Sequence, residues 1–295
     1  MMTATAAPNT LVHRKRPHHV VSRTLMTLLL IGFAVLMIVP FIWMVSASFK
    51  LERDVMTIPI QWIPKNPTWD NYKIVLHIDS TKKDFHFLLA YWNSIKVTVL
   101  STSLSVITAV MAGYAFAKLR FPGSNILFII YLAQMMVPSQ LTLIPRFVLF
   151  SALEMTNTHF SIIAPKLIAV SATFMVRQAY LAVPNELRES AMIDGAGEWR
   201  IWWQIMTPHI KPTIAALATV QFLDSWNSYL DPLIFLSDWR LRTLPIALNQ
   251  FVSEEGKQYH LIAAACCLTV IPVFVVFLCG QKFFVKGLTV GAVKG

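Results

Sequence analysis

Six stretches of the chain carry apolar side chains almost without interruption, at about 24–45, 97–117, 125–146, 160–181, 213–236 and 261–280. Each is close to the roughly 20 residues a helix needs to cross about 30 Å of hydrocarbon. Only backbone that is hydrogen-bonded within its own segment can face lipid. The pattern therefore predicts an all-α integral membrane protein with six transmembrane helices. The stretches differ in purity: the first, second and last hold no charge, the third ends on Arg146, the fourth holds Lys166 near its start and Arg177 near its end, and the fifth holds Asp224 and Asp231. In the third, Pro138 flanked by Gln134 and Gln140 makes a broken helix, and a gate, more plausible than elsewhere.

Two hydroxyl and polar patterns lie inside the apolar runs. Thr98, Ser101, Thr102, Ser103, Ser105 and Thr108 in the second stretch are small, and such residues in membrane helices point to close helix packing. In the fifth, Gln221, Asp224, Ser225, Asn227, Ser228 and Asp231 recur at steps that put them on one side of a helix, with Trp226 and Tyr229 beside them. An ionisable group in a bilayer costs ~2.5 to 3.5 kcal/mol on insertion scales, so Asp224, about 17 Å along its helix, is expected to face the bundle interior. Asp224, Trp226, Asn227 and Tyr229 are thus candidates for a solute path, offering hydrogen-bonding groups and aromatic faces. The competing reading is helix-to-helix hydrogen bonding.

One long interruption is hydrophilic: residues 184–208, which include RESAMIDGAGEWRIWWQIMTP. Pro184 and Asn185 form a start signal, with Asn185 as a cap and Glu186 and Glu189 at the positive end of the helix dipole. A helix over 186–193 should stop at Gly195, and a second over 198–206 should end at Pro208. Leu187, Ala191 and Asp194 share a face on which the small Ala191 admits another surface, while Trp199, Trp202 and Trp203 suit a membrane boundary.

Charge supplies the orientation. With the N-terminus inside, the inner segments collect Arg14, Lys15, Arg16, Arg23, Lys118, Arg120, Arg177, Arg188, Arg200, Lys211, Lys282, Lys286 and Lys294 against Glu186, Glu189, Asp194 and Glu198. That is a net of +9 out of a formal +10 for the whole chain, so both termini and the 184–208 loop are expected to be cytoplasmic. The basic excess then belongs to topology and anionic lipid rather than to nucleic acid. The first stretch, 22 residues long, exceeds the ~7 to 15 of a cleaved leader and reads as a retained span. The chain divides into an N-terminal arm (1–23), a membrane domain (24–284) and a cytoplasmic tail (285–295).

Neither a G-x-x-x-x-G-K-[ST] loop nor a catalytic or metal-ligating constellation is present in the sequence, so no cofactor, no metal and no enzymatic reaction is expected. Cys266, Cys267 and Cys279 all fall in the last stretch as small apolar residues.

The spacing around the knuckle resembles the EAA loop of permease subunits of ATP-binding cassette importers, which reads E-A-A, three residues, G, nine residues, I, one residue, L-P. Glu189, Ser190 and Ala191 are followed at those intervals by Gly195, Ile205, and Thr207 with Pro208. Ser190 and Thr207 depart from the pattern without altering its shape, Ser190 adding a hydroxyl to the contact face. WIPKNPTWDNY, DSWNSYLDPLIF and the tail QKFFVKGLTVGAVKG are similar to the carbohydrate-uptake branch, in particular its maltose-permease-like second subunit. The resemblance implies a second homologous permease, two cytoplasmic ATPase subunits, an external sugar-binding protein and a sugar substrate, in a bacterial cell membrane. It also implies that Glu186, Glu189, Ser190, Ala191, Asp194, Gly195, Ile205 and Pro208 couple the chain to an ATPase, and that loop 237–260 meets the binding protein. Asp224 and Asp231 are not part of the pattern carried over. An importer of polyol phosphates stays open, although among interior cations only Lys166 and Arg146 would serve it, as does a secondary transporter acting alone.

Overall fold

Where the chain is apolar it is helical. The computed structural model describes residues 17–77, 86–249, 251–253 and 256–292. In chain order the helices are α1 (Pro17–Ser48), α2 (Glu52–Val55), α3 (Asp70–His77), α4 (Phe87–Lys118), α5 (Ser124–Ala133), α6 (Leu143–Ala152), α7 (Phe160–Ile163), α8 (Val170–Leu181), α9 (Glu186–Ile193), α10 (Glu198–Arg200), α11 (Lys211–Trp226), α12 (Leu230–Phe235), α13 (Leu244–Asn249) and α14 (Tyr259–Ala292). A hairpin of two short antiparallel strands, β1 (Val252–Ser253) and β2 (Gly256–Lys257), places Val252 opposite Lys257. Arg14, Lys15 and Arg16 of the arm and Lys294 of the tail lie outside the described residues, and the tail continues α14 as helix to Ala292.

Among the described residues, four segments are long and apolar enough to cross a membrane: 23–48, 87–118, 160–181 and 259–283. The other two expected stretches, 125–146 and 213–236, are each built as two helices. The third breaks as its proline foretold. After α5 a 3-10 turn over Gln134–Met136 leads to an extended Val137, and the chain turns through Ser139 to Thr142 before α6. The fifth breaks at Asn227 to Tyr229, which corrects the single helix expected over 213–236. Pro232 supplies the reason, because its ring lacks an N–H and clashes with the carbonyl four residues back, that of Ser228. The fourth is interrupted too, with Pro165 in a 3-10 turn over Ala164–Leu167, Ile168 outside the helical region and Ala169 extended before α8.

The central helix is α4, which packs along both α8 and α11. It starts at Phe87, ten residues ahead of the expected 97, because Asn93 and Ser94 do not end the span. They face inward, the Asn93 amide donating to the carbonyls of Arg240 (2.8 Å) and Arg242 (3.1 Å), while Ser94 Oγ accepts from the Leu244 amide (2.7 Å). Thr98, Ser101 and Ser105 are buried, as close packing requires, and Thr108 Oγ1 donates to the Leu167 carbonyl at 2.6 Å, at the break in the fourth segment.

Two clusters occupy opposite ends of α4. One gathers Ala109, Val110, Tyr114, Val176, Tyr180, Ile201, Met206 and Leu217, and so includes the underside of the hydrophilic loop. The other gathers Phe87, Trp226, Leu244, Leu261 and Ala264. Along α1, by contrast, most side chains from Leu25 to Val45 are exposed over an almost wholly apolar surface, the mark of a helix that meets lipid or another membrane helix.

Candidate functional site

Two places gather the candidate residues: the knuckle at one end of the bundle and a cavity among the broken helices.

In the knuckle, α9 spans the residues expected and carries Glu186 and Glu189 in its first turn, where the helix dipole favours anions. Its start differs from expectation. Asn185 is itself in helical conformation and its side chain caps nothing; its Oδ1 accepts from Lys118 Nζ at 2.6 Å. Lys118, the last residue of α4 and buried, donates also to the Val183 carbonyl at 2.6 Å. A single ammonium therefore pins the segment leading into α9, at Val183 and Asn185, onto the end of the central helix.

The stop of α9 is a Schellman turn. Gly195 has φ +78, the Ala196 amide donates to the Ala191 carbonyl (2.9 Å) and the Gly195 amide to that of Met192 (3.0 Å), which consumes two of the helix's orphan carbonyls. A Cβ at Gly195 would meet no atom within 4 Å, so its backbone is open to approach from outside.

Beyond the turn the chain does not stop at Pro208 as expected. From α10 it continues through a π-helical stretch (Ile201–Met206) and a 3-10 turn (Thr207–Ile210) straight into α11. Thr207, the departure from the motif's leucine, is buried; its Oγ1 donates to the Trp202 carbonyl at 2.6 Å and lies 2.8 Å from Tyr180 Oη, fastening the π stretch to α8. Glu198 joins two elements, accepting from Tyr114 Oη of α4 (2.8 Å) and pairing with Arg188 of α9. Burial works against the Arg188 charge, but its bonds to Glu198 and Tyr114 outweigh that, so the guanidinium is held protonated more firmly than usual.

The expected residues therefore sort into two faces. Glu186, Leu187, Glu189, Ser190, Ile193, Asp194 and Gly195 are exposed. Ala191 is buried and Ile205 and Pro208 are half-buried, so the surface admitted by small Ala191 is the chain's own core. The Ser190 hydroxyl donates back to the Glu186 carbonyl rather than standing free on the face. Trp199 and Trp203 are exposed on either side of half-buried Trp202, with ring centroids 5.5 and 5.7 Å from it. Lys118, Tyr114 and Tyr180 were invisible as partners from sequence, being far from the loop in the chain.

The Lys118 pin gives a sharp expectation. Lys118→Met keeps the aliphatic bulk but leaves the buried Val183 carbonyl unpaired, costing about 1–3 kcal/mol, and releases the more exposed Asn185 side chain. Hydrogen exchange should speed up in residues 183–195 while α4 and α8 keep their protection; unchanged exchange there would show that the pin is idle.

The cavity has a volume of about 710 Å³ and is lined from all three broken segments, including Ser139, Gln140, Arg146, Lys166, Asp224, Asn227, Tyr229 and Asp231. Lys166 Nζ pairs with Asp224 Oδ2 at 2.8 Å, and Arg146 of α6 pairs with Asp231 of α12 while lying over the Phe235 ring at 5.2 Å. Asn227 donates to the Leu223 carbonyl at 2.9 Å, capping the frayed end of α11, and Tyr229 Oη accepts from Asn249 at 2.5 Å. Of the expected path residues, Asp224, Asn227 and Tyr229 reach this cavity and Trp226 does not. Trp226 is 2% exposed, stacked on Phe222 (5.7 Å) and edge-on to Tyr91 (5.9 Å), a core residue. Gln221 is likewise absent from the lining.

Residues 105–290 match the family of binding-protein-dependent transport system inner membrane components. The arabinooligosaccharides transport system permease protein AraQ of Halalkalibacterium halodurans is 35% identical over 277 residues, covering 91% of this chain and 96% of that protein. The lactose transport system permease protein LacG of Rhizobium radiobacter is 31% identical (88% and 92% covered), and the sn-glycerol-3-phosphate transport system permease protein UgpE of Yersinia enterocolitica is 30% identical (88% and 93%). Among solved structures, a bacterial ABC transporter involved in alginate import superposes with a TM-score of 0.81 over 91% of this chain and 98% of the other, at 23% identity, which shows the fold. The chain belongs to the binding-protein-dependent transport system inner membrane components: it is a membrane permease.

Proposed function

We propose that this permease imports a sugar, as one of two homologous membrane subunits driven by two cytoplasmic ATPases and fed by an external binding protein. Residues 24–284 then cross the membrane six times, the third and fifth crossings being the paired helices α5–α6 and α11–α12, with 1–23 and 285–295 inside. The observation that carries this reading is the knuckle: an exposed acidic and apolar face on a helix whose other side is part of the bundle core. Such a part moves as one piece with α4, α8 and α11. ATP-driven closure of the ATPases pushes on Glu186, Glu189, Ser190, Asp194 and Gly195, with Ala191, Ile205 and Pro208 as the backing, and the push reaches the broken helices. The solute must bind the two resulting states differently for work to be done.

The sugar rests on the relatives named for arabinooligosaccharides and lactose, and on a lining rich in carboxamide, hydroxyl and carboxylate groups. The second reading, a polyol phosphate, has the relative named for sn-glycerol-3-phosphate in its favour. Uptake in vesicles containing the whole assembly decides between them: ATP-dependent accumulation of arabinotriose or lactose is expected. Accumulation of glycerol 3-phosphate alone would replace the sugar, and accumulation of either without ATPase subunits would replace the ATP-driven assembly by a transporter acting alone.

A further inference from the structure

We propose that Asp224 and Asp231 set the charge of what can pass: by neutralising Lys166 and Arg146 they reserve the cavity for uncharged, hydroxyl-rich solutes and keep anions from lodging there. This rests on the reading of the chain as a solute permease, and it names the residues that choose within that class.

The cavity carries two fixed cations and two fixed anions. The side chains of Lys166 (16% exposed), Arg146 (19%) and Asp231 (24%) are shielded from water, whereas Asp224 is 67% exposed and looks into the open space. A shielded cation without a partner is costly and projects an unscreened field; paired, it leaves only a short-range dipole. The pairs join segments that no local sequence rule connects, lying 58 and 85 residues apart in the chain, and each bridges two different pieces of the broken helices: the α7–α8 turn with α11, and α6 with α12. Either carboxylate keeps acceptor capacity beyond its pair, and with Ser139, Gln140 and Asn227 around it the lining can exchange hydrogen bonds with sugar hydroxyls. A phosphate or carboxylate entering the same space meets as much repulsion as attraction. Without the aspartates it would meet a doubly cationic trap.

The full chain, purified with the subunits that accompany it from the membrane, is titrated with inorganic phosphate while thermal unfolding is followed, with sodium chloride at matched ionic strength as reference. The wild type is expected to show no phosphate response beyond that of salt. Asp224→Asn, which alters charge but not shape, should bind phosphate at least about tenfold more tightly than wild type, a modest shift for one uncompensated charge at close range. Adding Lys166→Gln to Asp224→Asn should return the protein to wild-type behaviour. An Asp224→Asn protein as indifferent to phosphate as wild type, or a wild type that already binds phosphate specifically, overturns the proposal. If Asp224→Asn fails to accumulate, the charge swap Lys166→Asp with Asp224→Lys keeps the pair neutral and must stay indifferent to phosphate; a swapped protein that binds it overturns the proposal equally. Accumulation of glycerol 3-phosphate in the uptake experiment above would overturn this proposal together with the sugar reading, whereas uptake without ATPase subunits would remove the driven assembly and leave this binding result standing.

Discussion

Gly195→Trp is expected to abolish ATP-driven uptake while leaving the protein folded and in the membrane. The glycine sits at φ +78, where an L side chain costs about 1–2 kcal/mol. That cost falls on one turn at the surface, and the chain itself has room for a side chain there, since a Cβ would meet no atom within 4 Å. The empty space is where a docking ATPase would lie, and an indole would occupy it. Gly195→Ala separates the two effects, because it carries the same backbone strain with almost no bulk. If docking is the function of this turn, the alanine protein keeps most of its uptake and its co-purifying ATPase while the tryptophan protein loses both. Equal losses in the two would mean that backbone strain alone matters.

Gly113→Val should do the opposite, damaging the fold before any function can be tested. Here α4 and α8 touch: a Cβ on residue 113 would lie 2.6 Å from Val176 Cγ1, 2.9 Å from its Cβ and 3.0 Å from the Arg177 backbone nitrogen. Val176 is β-branched and fully buried, so it has little freedom to turn away, and the helices must separate. Overpacking of this kind costs about 1–3 kcal/mol or more. It strikes the cluster that holds the knuckle, which includes Tyr114, Tyr180, Ala191 and Ile201. A markedly lower unfolding temperature in detergent, with less protein recovered from the membrane, is the expected result; a wild-type melting curve would show that the two helices are not tightly apposed.

Much of this could be read from the chain alone, and the failures have physical reasons. The knuckle was legible because a glycine, a proline and an acidic helix start occur at fixed intervals that few other structures require. The break after Gln134 was legible because Pro138 is flanked by polar residues. Near Ile168 and Asn227 the sequence offered only prolines, Pro165 and Pro232, as markers of a bend or a span end; that the helices stop there was not legible, because a window of hydropathy averages across a single proline. Ala191 was assigned to a foreign surface, but a small residue on a helix face fits its own core just as well, and only the structure shows which neighbour it has. Trp226 beside a polar stripe looked available to a sugar; one position around the helix was enough to turn it into the core. The start of α4 at Phe87 was not legible because Asn93, Ser94 and Lys96 stand before the apolar run, and the hydrogen bonds that seat Asn93 and Ser94 against residues 240–244 leave no trace in hydropathy. Lys166 and Arg146 were recognisable as interior cations, whereas their pairing with Asp224 and Asp231 depends entirely on how three broken helices meet.

The claim on which the rest stands is that the 184–208 knuckle lies at the cytoplasmic face, where it can be pushed. Ile193, at the tip and 86% exposed, is the place to test it. In a background with Cys266, Cys267 and Cys279 changed to alanine, an Ile193→Cys protein is treated with a maleimide that cannot cross membranes. Labelling in inside-out vesicles and none in right-side-out vesicles is the predicted result, with labelling suppressed when the ATPase subunits are bound. Labelling from the outside only would contradict the orientation, the lever and the proposed mechanism together.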